Sequence, residues 1–217
     1  MIHNRQQPSA RYLELVATYR DMHLHGARQQ GVPASQTFDG RSLKPQAGRI
    51  KRLIDRTAAR TILDYGSGKG EQYGPKPVRI EGEGVWDGVV DYWGADEVTC
   101  FDPAYPPFSQ LPSGTFDGVI CTDVLEHCPE DDIEWIVEEM FAFASRFVFA
   151  SIACYPASKC LPSGENAHCT IRPPDWWTAH FVSAAERHKP VIWEAWVYTR
   201  KSDGSEGLQE TRIGSTP

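Results

Sequence analysis

The spacing of apolar residues along the chain alternates between the period of a helix and the continuous runs of a buried strand. In the first part of the chain, apolar side chains three or four residues apart predict helices over 10–26 and 44–58. The segment between them, 27–43, contains glycine, proline and polar residues, and we expect a long loop there. Residues 1–9 are polar, which predicts a frayed terminus.

Short apolar runs in the rest of the chain predict strands of a sheet that is covered on both faces. An apolar stripe at i, i+3, i+4 and i+7 after Pro129 predicts a helix, and Asp175 opens a shorter helix. A long loop rich in proline and cysteine is predicted over 153–174. The polar, glycine- and serine-rich end, 201–217, predicts a flexible tail. The predicted strands are 60–64, 98–102, 117–122, 146–152 and 190–199.

The most informative stretch is the turn after the first predicted strand, where Asp64 is followed by glycine at 66, 68 and 70. Alternate glycines let the backbone turn sharply with positive φ and leave bare main chain for a ligand. A carboxylate at the carboxyl end of a strand lies at the sheet edge where open α/β folds bind cofactors. The stretch therefore predicts a cofactor site.

Two other ligand-binding motifs are excluded by their spacing. A dinucleotide fingerprint, G-x-G-x-x-G, requires glycine at 71, where this chain has Glu71. A phosphate-binding P-loop requires Ser or Thr after Gly-Lys, but Lys69 is followed by Gly70. The pattern that fits is acidic-x-Gly-x-Gly-x-Gly.

Three segments in order along the chain are similar to motifs of one family. Residues 63–70 (LDYGSGKG) look like a glycine-rich cofactor motif, and 98–102 (VTCFD) is a strand that ends in an acid. Residues 116–127 (FDGVICTDVLEH) are similar to a fourth-strand motif, Phe-Asp-x-Val…Leu-Glu-His. On these residues the chain resembles the small-molecule branch of the class I S-adenosylmethionine-dependent methyltransferases, a Rossmann-like family, over about 60–152.

The resemblance implies an α/β fold with a Rossmann-like, doubly wound, mostly parallel sheet and helices on both faces. It implies an N-terminal helical lid (1–59), a cofactor-binding core (60–200) and the flexible tail after it. Compared with the family, 71–96 is an insertion, and only fourteen residues lead from Asp102 to Phe116. Fourteen residues are too few for a helix and a strand, so we expect the sheet to be abbreviated around its third strand.

The resemblance also implies the cofactor, S-adenosylmethionine, and its product, S-adenosylhomocysteine. The resemblance implies that Asp102 binds the ribose hydroxyls. The alternative is that Asp102 caps a turn before proline, but the upstream glycine motif favours the ribose role. Asp123 is expected near the sulfonium, and Phe38 and Ser42 are candidate contacts from the long loop. The residues expected to bind the cofactor are Asp64, Tyr65, Gly66, Ser67, Gly68, Gly70, Asp102 and Asp123.

Two histidines are candidates for a general base, because imidazole titrates near neutrality. His168 lies in the loop expected over the carboxyl ends of the strands, and we rank it slightly ahead of His127. Glu126 and His127 end the strand motif at the mouth of the cleft. In the resembling family this pair often anchors the following helix instead, which is the alternative for both residues.

The same loop and the helix after it offer candidate contacts for the acceptor. Asn166 supplies a donor and an acceptor, and Trp176 and Trp177 supply flat apolar surface for a ring or a sugar face. A surface turn followed by a helix that buries its tryptophans fits the sequence equally well. We expect a small-molecule or sugar-like acceptor that is methylated on oxygen or nitrogen.

The net charge of −7 argues against a dedicated nucleic-acid-binding protein. The charge is uneven, since residues 1–60 hold eleven Lys and Arg against four Asp and Glu. An N-terminal segment that packs over an acidic body is the favoured explanation. Two alternatives stay open: a methyltransferase for nucleic acid or a nucleotide-linked substrate that docks on this segment, and a non-catalytic protein that binds the cofactor.

The chain has six cysteines and no run of about 18 apolar residues. Without such a run or a leader-like start, we expect a cytoplasmic protein with no membrane span. The cysteines do not form paired C-x-x-C motifs, which favours reduced thiols and no metal site. A metal cluster of His127, Cys128, His168 and Cys169 is the less favoured alternative. The sequence does not indicate the oligomeric state.

Overall fold

The computed structural model describes residues 3–80, 82–201 and 206–215, and these residues form eight strands. Six of the strands form one sheet in the order β4-β1-β5-β6-β7-β8, with β8 antiparallel to β7 and the other neighbours parallel; β2 and β3 form a separate hairpin. The strands are β1 (Thr61–Tyr65), β2 (Val78–Ile80), β3 (Gly84–Trp86), β4 (Glu97–Phe101), β5 (Phe116–Thr122), β6 (Ala144–Ala153), β7 (Ile192–Arg200) and β8 (Leu208–Gly214).

Helices cover both faces of the sheet. The α-helices are α1 (Ala10–His25), α2 (Ala47–Thr57), α3 (Val89–Trp93), α4 (Glu130–Phe143) and α5 (Pro174–Arg187). Helices α2 and α3 pack on one face, where they meet Ile120 of β5, and α4 and α5 pack on the other, where they meet Val119 and Cys121. Because neighbouring strand residues point to opposite faces, one continuous apolar run serves both layers. None of the described helices is long and apolar enough to cross a membrane.

The predicted fold class is confirmed, and so is the shortened third-strand region. Residues 102–115 contain one short 3₁₀ turn, Pro106–Phe108, and no strand, so β4 forms the edge of the sheet. Proline at 103, 106 and 107 explains this, because it removes backbone donors that a further strand would need. The insertion at 71–96 holds the β2–β3 hairpin and α3. The indole of Trp93 in α3 donates to the carbonyl of Ala47 at 3.0 Å, which ties this insertion to α2.

The prediction of a flexible tail over 201–217 is wrong for 208–214. These residues form β8, which pairs with β7 over its whole length, from Leu208 opposite Arg200 to Gly214 opposite Glu194. The side chain of Arg212 reaches the carboxylate of Glu194 at 2.8 Å. Polar composition misled the prediction, because an edge strand with one exposed face needs few apolar residues. The remaining tail positions, 202–205 and 216–217, lie outside the described residues.

The described part of the predicted frayed terminus, residues 3–9, is also ordered by specific contacts. Ser9 caps α1, since its hydroxyl accepts from the amide of Tyr12 at 3.0 Å. The Ser9 amide and hydroxyl both donate to the carboxylate of Asp132, which is fully buried in the first turn of α4. Arg5 pairs with Glu139 of α4 and lies over the ring of Trp135, 4.8 Å from its centroid. Helix α1 is therefore fastened at its start to α4.

The predicted boundary at residue 59, between lid and core, stays a prediction. Helix α2, which lies before that boundary, buries Ile50, Leu53 and Ile54 against the sheet rather than over the glycine turn. The segment over the carboxyl edge of the sheet comprises α1 and the loop 27–43, and we call these residues, 10–43, the cover segment.

We expect Ser9→Ala to lower the free energy of unfolding by about 1–2 kcal/mol, because it removes the cap of α1 and a hydrogen bond to a buried carboxylate. Urea unfolding followed by circular dichroism measures this change. Ser35→Ala is the control, because Ser35 is exposed in the loop 27–43. Equal stability of both variants and the wild type would contradict a fastening role for Ser9.

Candidate functional site

A cavity of about 620 Å³ opens at the carboxyl edge of the parallel strands, between the sheet and the cover segment. Its volume lies within the range of about 300–1,000 Å³ that is typical of small-ligand sites. Part of its polar lining comes from the ends of β1, β4 and β5. These residues are Asp64, Gly66, Ser67, Gly68, Asp102, Thr122 and Asp123.

The glycine turn at one end of the cavity has the backbone conformation that its sequence predicts. Gly66 and Gly68 have φ of +87° and +59°, a region that side chains disfavour. A Cβ on Gly66 would lie 2.5 Å from Cγ2 of Val124, and one on Gly68 would lie 2.9 Å from the carbonyl oxygen of Phe38. Gly70, also at positive φ, lies outside the cavity lining and closes the turn.

Asp64 is buried at the end of β1, beneath the glycine turn. Its Oδ2 accepts from the hydroxyl of Tyr73 at 2.8 Å and from Nε2 of Gln72 at 3.0 Å. Burial raises the pKa of Asp64 to about 7, although the two hydrogen bonds act in the opposite direction and lower the pKa. The insertion therefore contributes to the site, because both partners of Asp64 lie in its first turn.

Asp102 connects the loop after β4 to the glycine turn. Its carboxylate accepts from the amide of Gly68 at 2.9 Å and from the amide of Ala104 at 2.8 Å. Burial raises the pKa of Asp102 to about 6, while the backbone amides lower it. A carboxylate has about four lone-pair positions, so two remain for a ligand.

Three buried polar atoms near these carboxylates have no hydrogen-bond partner among the described residues: Ser67 Oγ, Gln72 Oε1 and His23 Nδ1. All three residues line the cavity. Buried polar groups in folded proteins are nearly always paired, so each of these atoms calls for a partner from a ligand or from water. Together with Asp64 and Asp102, they fit a ligand that carries hydroxyl, amino and carboxylate groups.

The other end of the cavity holds both predicted histidines. Nδ1 of His127 lies 2.8 Å from the carbonyl of Ala167, and Nδ1 of His168 lies 2.6 Å from the carbonyl of Tyr155. A carbonyl only accepts, so each Nδ1 carries the proton and each Nε2 keeps its lone pair. The ring centroids are 4.8 Å apart.

Burial lowers the pKa of His127 to about 4; Asp123 opposes this shift, whereas the neighbouring His168 adds to it. The imidazole of His127 is therefore neutral at physiological pH. Asp123 itself is exposed at the cavity wall and has φ of +62°, a conformation that aspartate tolerates better than most residues.

Glu126 lies below the cavity wall rather than on it. Its side chain is fully buried, its Oε1 accepts from the amide of Ala153 at 2.6 Å, and its Oε2 has no hydrogen-bond partner in the described part of the chain. Burial raises the pKa of this carboxyl well above its usual range, and the nearby Asp123 raises it further. The Glu126 carbonyl also accepts from the amide of Thr170, which holds the His168 loop. These contacts fit the anchoring alternative better than a catalytic role.

The three predicted acceptor contacts do not line the cavity. Asn166 uses its side chain on the backbone of its own loop, donating to the carbonyl of Ala157 and accepting from the amides of Ala157 and His168. Trp177 is fully buried in the core against α4, and Trp176 packs against Trp177 and His180. The structure thus places none of these three side chains on the cavity, and their role as acceptor contacts stays a prediction.

Tyr65 lines the cavity, but its hydroxyl points to α4 and donates to Glu139 at 2.7 Å. Phe38 and Ser42, the two candidate contacts from the loop 27–43, both line the cavity. Phe38 has φ of +54°, and its ring lies 4.1 Å from that of His23.

Two residues of α1 belong to the site although the sequence did not predict them there. His23 of α1 packs between Phe38 and Tyr105, and its Nε2 lies 3.8 Å from Oδ2 of Asp102. The hydroxyl of Tyr19 lies 3.0 Å from Nδ1 of His127. Both residues are on the apolar stripe of α1, where periodicity predicts core packing rather than a role in a site. Only the position of α1 over the sheet reveals them.

Neither a family model nor a curated protein matches this chain. Among solved structures, the chain is similar to a Burkholderia thailandensis 1,6-didemethyltoxoflavin-N1-methyltransferase, which was crystallised with 1,6-didemethyltoxoflavin and S-adenosylhomocysteine. The TM-score is 0.55 at 12% identity, over 97% of this chain and 92% of that one. The chain thus has the Rossmann-like fold of the class I methyltransferases, as its motifs predicted.

The raised pKa of Asp102 predicts a defined pH dependence of stability. Between about pH 4 and 6 the folded chain keeps a proton on Asp102 that the unfolded chain has lost, so this carboxyl destabilises the fold as pH rises. Asp102→Asn removes that dependence. We expect the free energy of unfolding of the variant, relative to wild type, to increase by roughly 1–3 kcal/mol from pH 4 to pH 7.

Urea unfolding at several pH values measures this difference. Burial lowers the pKa of His127 to about 4, which gives stability the opposite pH dependence, but this contribution is common to both proteins and cancels in the difference. Asp102 raises the pKa of Asp64, so the loss of its charge in the variant changes the difference in the same direction as the loss of its own titration. A difference that does not change with pH would mean that the folded Asp102 titrates at an ordinary pKa.

Proposed function

We propose that this protein is an S-adenosylmethionine-dependent methyltransferase that transfers a methyl group to an oxygen or nitrogen atom of a small-molecule acceptor. The observation that carries the proposal is the pair of carboxylates at the ends of adjacent parallel strands, the buried Asp64 and the largely buried Asp102. A glycine turn joins them, and the cavity above them continues to two histidines. The B. thailandensis enzyme binds S-adenosylhomocysteine on the same fold, which supports this cofactor.

The proposed cofactor site uses the unsatisfied groups of the glycine-turn end. Asp102 would accept hydrogen bonds from the two ribose hydroxyls with the lone pairs that Gly68 and Ala104 leave free. Asp64, together with Ser67 and Gln72, would hold the charged amino-acid end. Gly66 contributes backbone alone to this end, because Val124 occupies the place that a Cβ would take there.

When bound, the cofactor supplies a methyl group on a sulfonium, whose displacement leaves a neutral thioether. In the transfer, the acceptor atom forms a bond to the methyl carbon, the C–S bond breaks, and its electron pair stays on sulfur. The protein must align the acceptor with that bond and provide for the proton that the acceptor loses. His127 and His168 line the cavity with lone pairs on Nε2, so they are suited to act on that proton.

The cover segment supports a reaction shielded from water. Tyr19, His23 and Phe38 line the cavity from above, and their rings pack against one another. An acceptor enclosed by this segment must be small, since the whole cavity is about 620 Å³. The bound 1,6-didemethyltoxoflavin of the B. thailandensis enzyme agrees with an acceptor of this kind.

We expect S-adenosylmethionine and S-adenosylhomocysteine to bind with dissociation constants on the order of micromolar, and NAD not to bind, in calorimetric titrations. Asp102→Ala should weaken binding by about 1–3 kcal/mol, or roughly 5- to 150-fold, through the lost charge-assisted hydrogen bonds. Asp96→Ala is the matched control, because Asp96 precedes the same strand at its opposite end and is exposed there. Normal binding by Asp102→Ala would refute the ribose assignment.

We expect His168→Asn to bind S-adenosylhomocysteine as the wild type does but to turn over more slowly by roughly 10²-fold or more. The amide of asparagine occupies the place of Nδ1–H, so the contact with the Tyr155 carbonyl is kept while Nε2 is removed. Methyl transfer is followed across a panel of small hydroxylated and heterocyclic acceptors. Wild-type turnover by the variant, once an acceptor is found, would exclude His168 from the reaction.

A further inference from the structure

Three side chains with metal-ligating groups meet at the acceptor end of the cavity. Asp123, His127 and His168 each offer one donor atom, and these three atoms lie within 4.8 Å of one another. They come from the end of β5, from the turn after it, and from the loop after β6, which brings His168 back over the sheet edge. All three residues line the cavity, so any ion that they hold would face a ligand there.

The two imidazoles are oriented as metal ligands usually are. Each donates its Nδ1–H to a backbone carbonyl, that of Ala167 for His127 and that of Tyr155 for His168. Metal-bound histidines nearly always make such a second hydrogen bond, which fixes the tautomer and aims the other nitrogen at the ion. A single general base would explain one oriented imidazole but not two that are held side by side.

A fully buried carboxylate next to these ligands has an unsatisfied oxygen. Glu126 directly precedes His127, and its Oε2 has no hydrogen-bond partner. Among the residues that the structure describes, no Lys or Arg forms an ion pair with Glu126 or Asp123. Buried carboxylates are normally paired with a cation or hydrogen-bonded through both oxygens. Asp123 therefore presents its carboxylate to the cavity with no Lys or Arg beside it in the described chain, and a metal ion bound there would supply the counter-charge.

We propose that Asp123, His127 and His168 bind a divalent first-row transition-metal ion, such as Zn²⁺, Mn²⁺ or Co²⁺. Two imidazoles with one carboxylate favour such ions, whereas Mg²⁺ and Ca²⁺ prefer oxygen ligands alone. Ligand bonds of about 2.0–2.2 Å require the donor atoms to approach by roughly 1 Å. The exposed side chain of Asp123 makes that adjustment by rotation, because few contacts restrain it.

The proposed set of ligands differs from the metal cluster that the sequence offered as an alternative, which was His127, Cys128, His168 and Cys169. Cys128 directs its thiol to the carbonyl of Val124, and Cys169 is exposed outside the cavity lining. The two histidines are shared by both sets, but the carboxylate of Asp123 takes the place of the thiolates. Helix α4 and strand β6 separate Asp123 from His168 in the sequence, so spacing rules for short metal motifs do not detect the site.

The ion would have open coordination positions toward the cavity, as catalytic sites do. An acceptor oxygen bound there would lose its proton more readily and would be held in place for methyl transfer. With Nε2 of His127 and His168 bound to the ion, the two histidines would act on that proton through the ion and not as free bases. This use of the site rests on the proposed function and specifies an oxygen acceptor, such as a hydroxyl beside a second oxygen or a ring nitrogen. Binding of the ion by itself does not rest on it.

The test is titration of the untagged, chelator-treated chain with Co²⁺ and Zn²⁺, followed by visible absorption and by calorimetry, with Mg²⁺ for comparison. We expect one Co²⁺ or Zn²⁺ per chain and no measurable binding of Mg²⁺. An intense sulfur-to-cobalt charge-transfer band would indicate thiolate ligands and would overturn the assignment. Absence of Co²⁺ and Zn²⁺ binding would overturn it as well.

Asp123→Asn and His168→Asn should each weaken Co²⁺ binding by more than roughly 10-fold. Asparagine tolerates the positive φ of Asp123, so this variant is expected to fold, and thermal unfolding checks it. The control is His25→Asn, because His25 is exposed in the last turn of α1 and outside the cavity. Unchanged Co²⁺ affinity in both site variants would refute the proposal.

Binding of S-adenosylhomocysteine is measured on the same samples without metal. Cofactor binding without any metal binding would leave the proposed function standing and overturn the metal site. Metal binding without cofactor binding would leave the metal site standing and overturn the proposed function. If both bind, full turnover by the metal-free enzyme on every acceptor would refute the role of the ion in catalysis.

Discussion

The hydrogen bond from the Gly68 amide to Asp102 is the contact on which the rest of the site depends. It joins the turns after two adjacent parallel strands, so the glycine turn and the acidic loop keep a fixed distance. The bond requires positive φ at Gly68, and the turn requires it at Gly66 as well. Because Asp102 is largely buried, its carboxylate depends on backbone amides for stabilisation, and a displaced turn would remove the amide of Gly68.

The cover segment extends this arrangement from above. Ser9 and Arg5 fasten the start of α1 to α4 through Asp132 and Glu139, and α1 then crosses the carboxyl edge of the sheet. That course brings Tyr19 to His127 and His23 to Asp102 in the wall of one cavity. Stability and function are linked in this segment, since contacts far from the cavity determine where its upper wall lies.

The fold could be predicted from the sequence because local patterns agree with it. The covered strands are continuous apolar runs, α4 has a clean apolar stripe, and the motif from Asp64 to Gly70 requires a turn that glycine alone adopts easily. The shortened third-strand region follows from the prolines after Asp102. Strand β8 could not be predicted, because an edge strand exposed on one face has a polar sequence that also suits a tail.

The sequence by itself determined the strand-turn chemistry: Asp64, the glycines and Asp102 follow their strands directly, so their positions depend on local backbone geometry. Only the tertiary structure decided the rest of the site. His168 meets His127 and Asp123 because a long loop folds back over the sheet, and His23 reaches Asp102 because α1 lies across it. The tertiary structure also decided that Trp177 lies in the core, because burial of its ring against α4 is more favourable than exposure to the cavity.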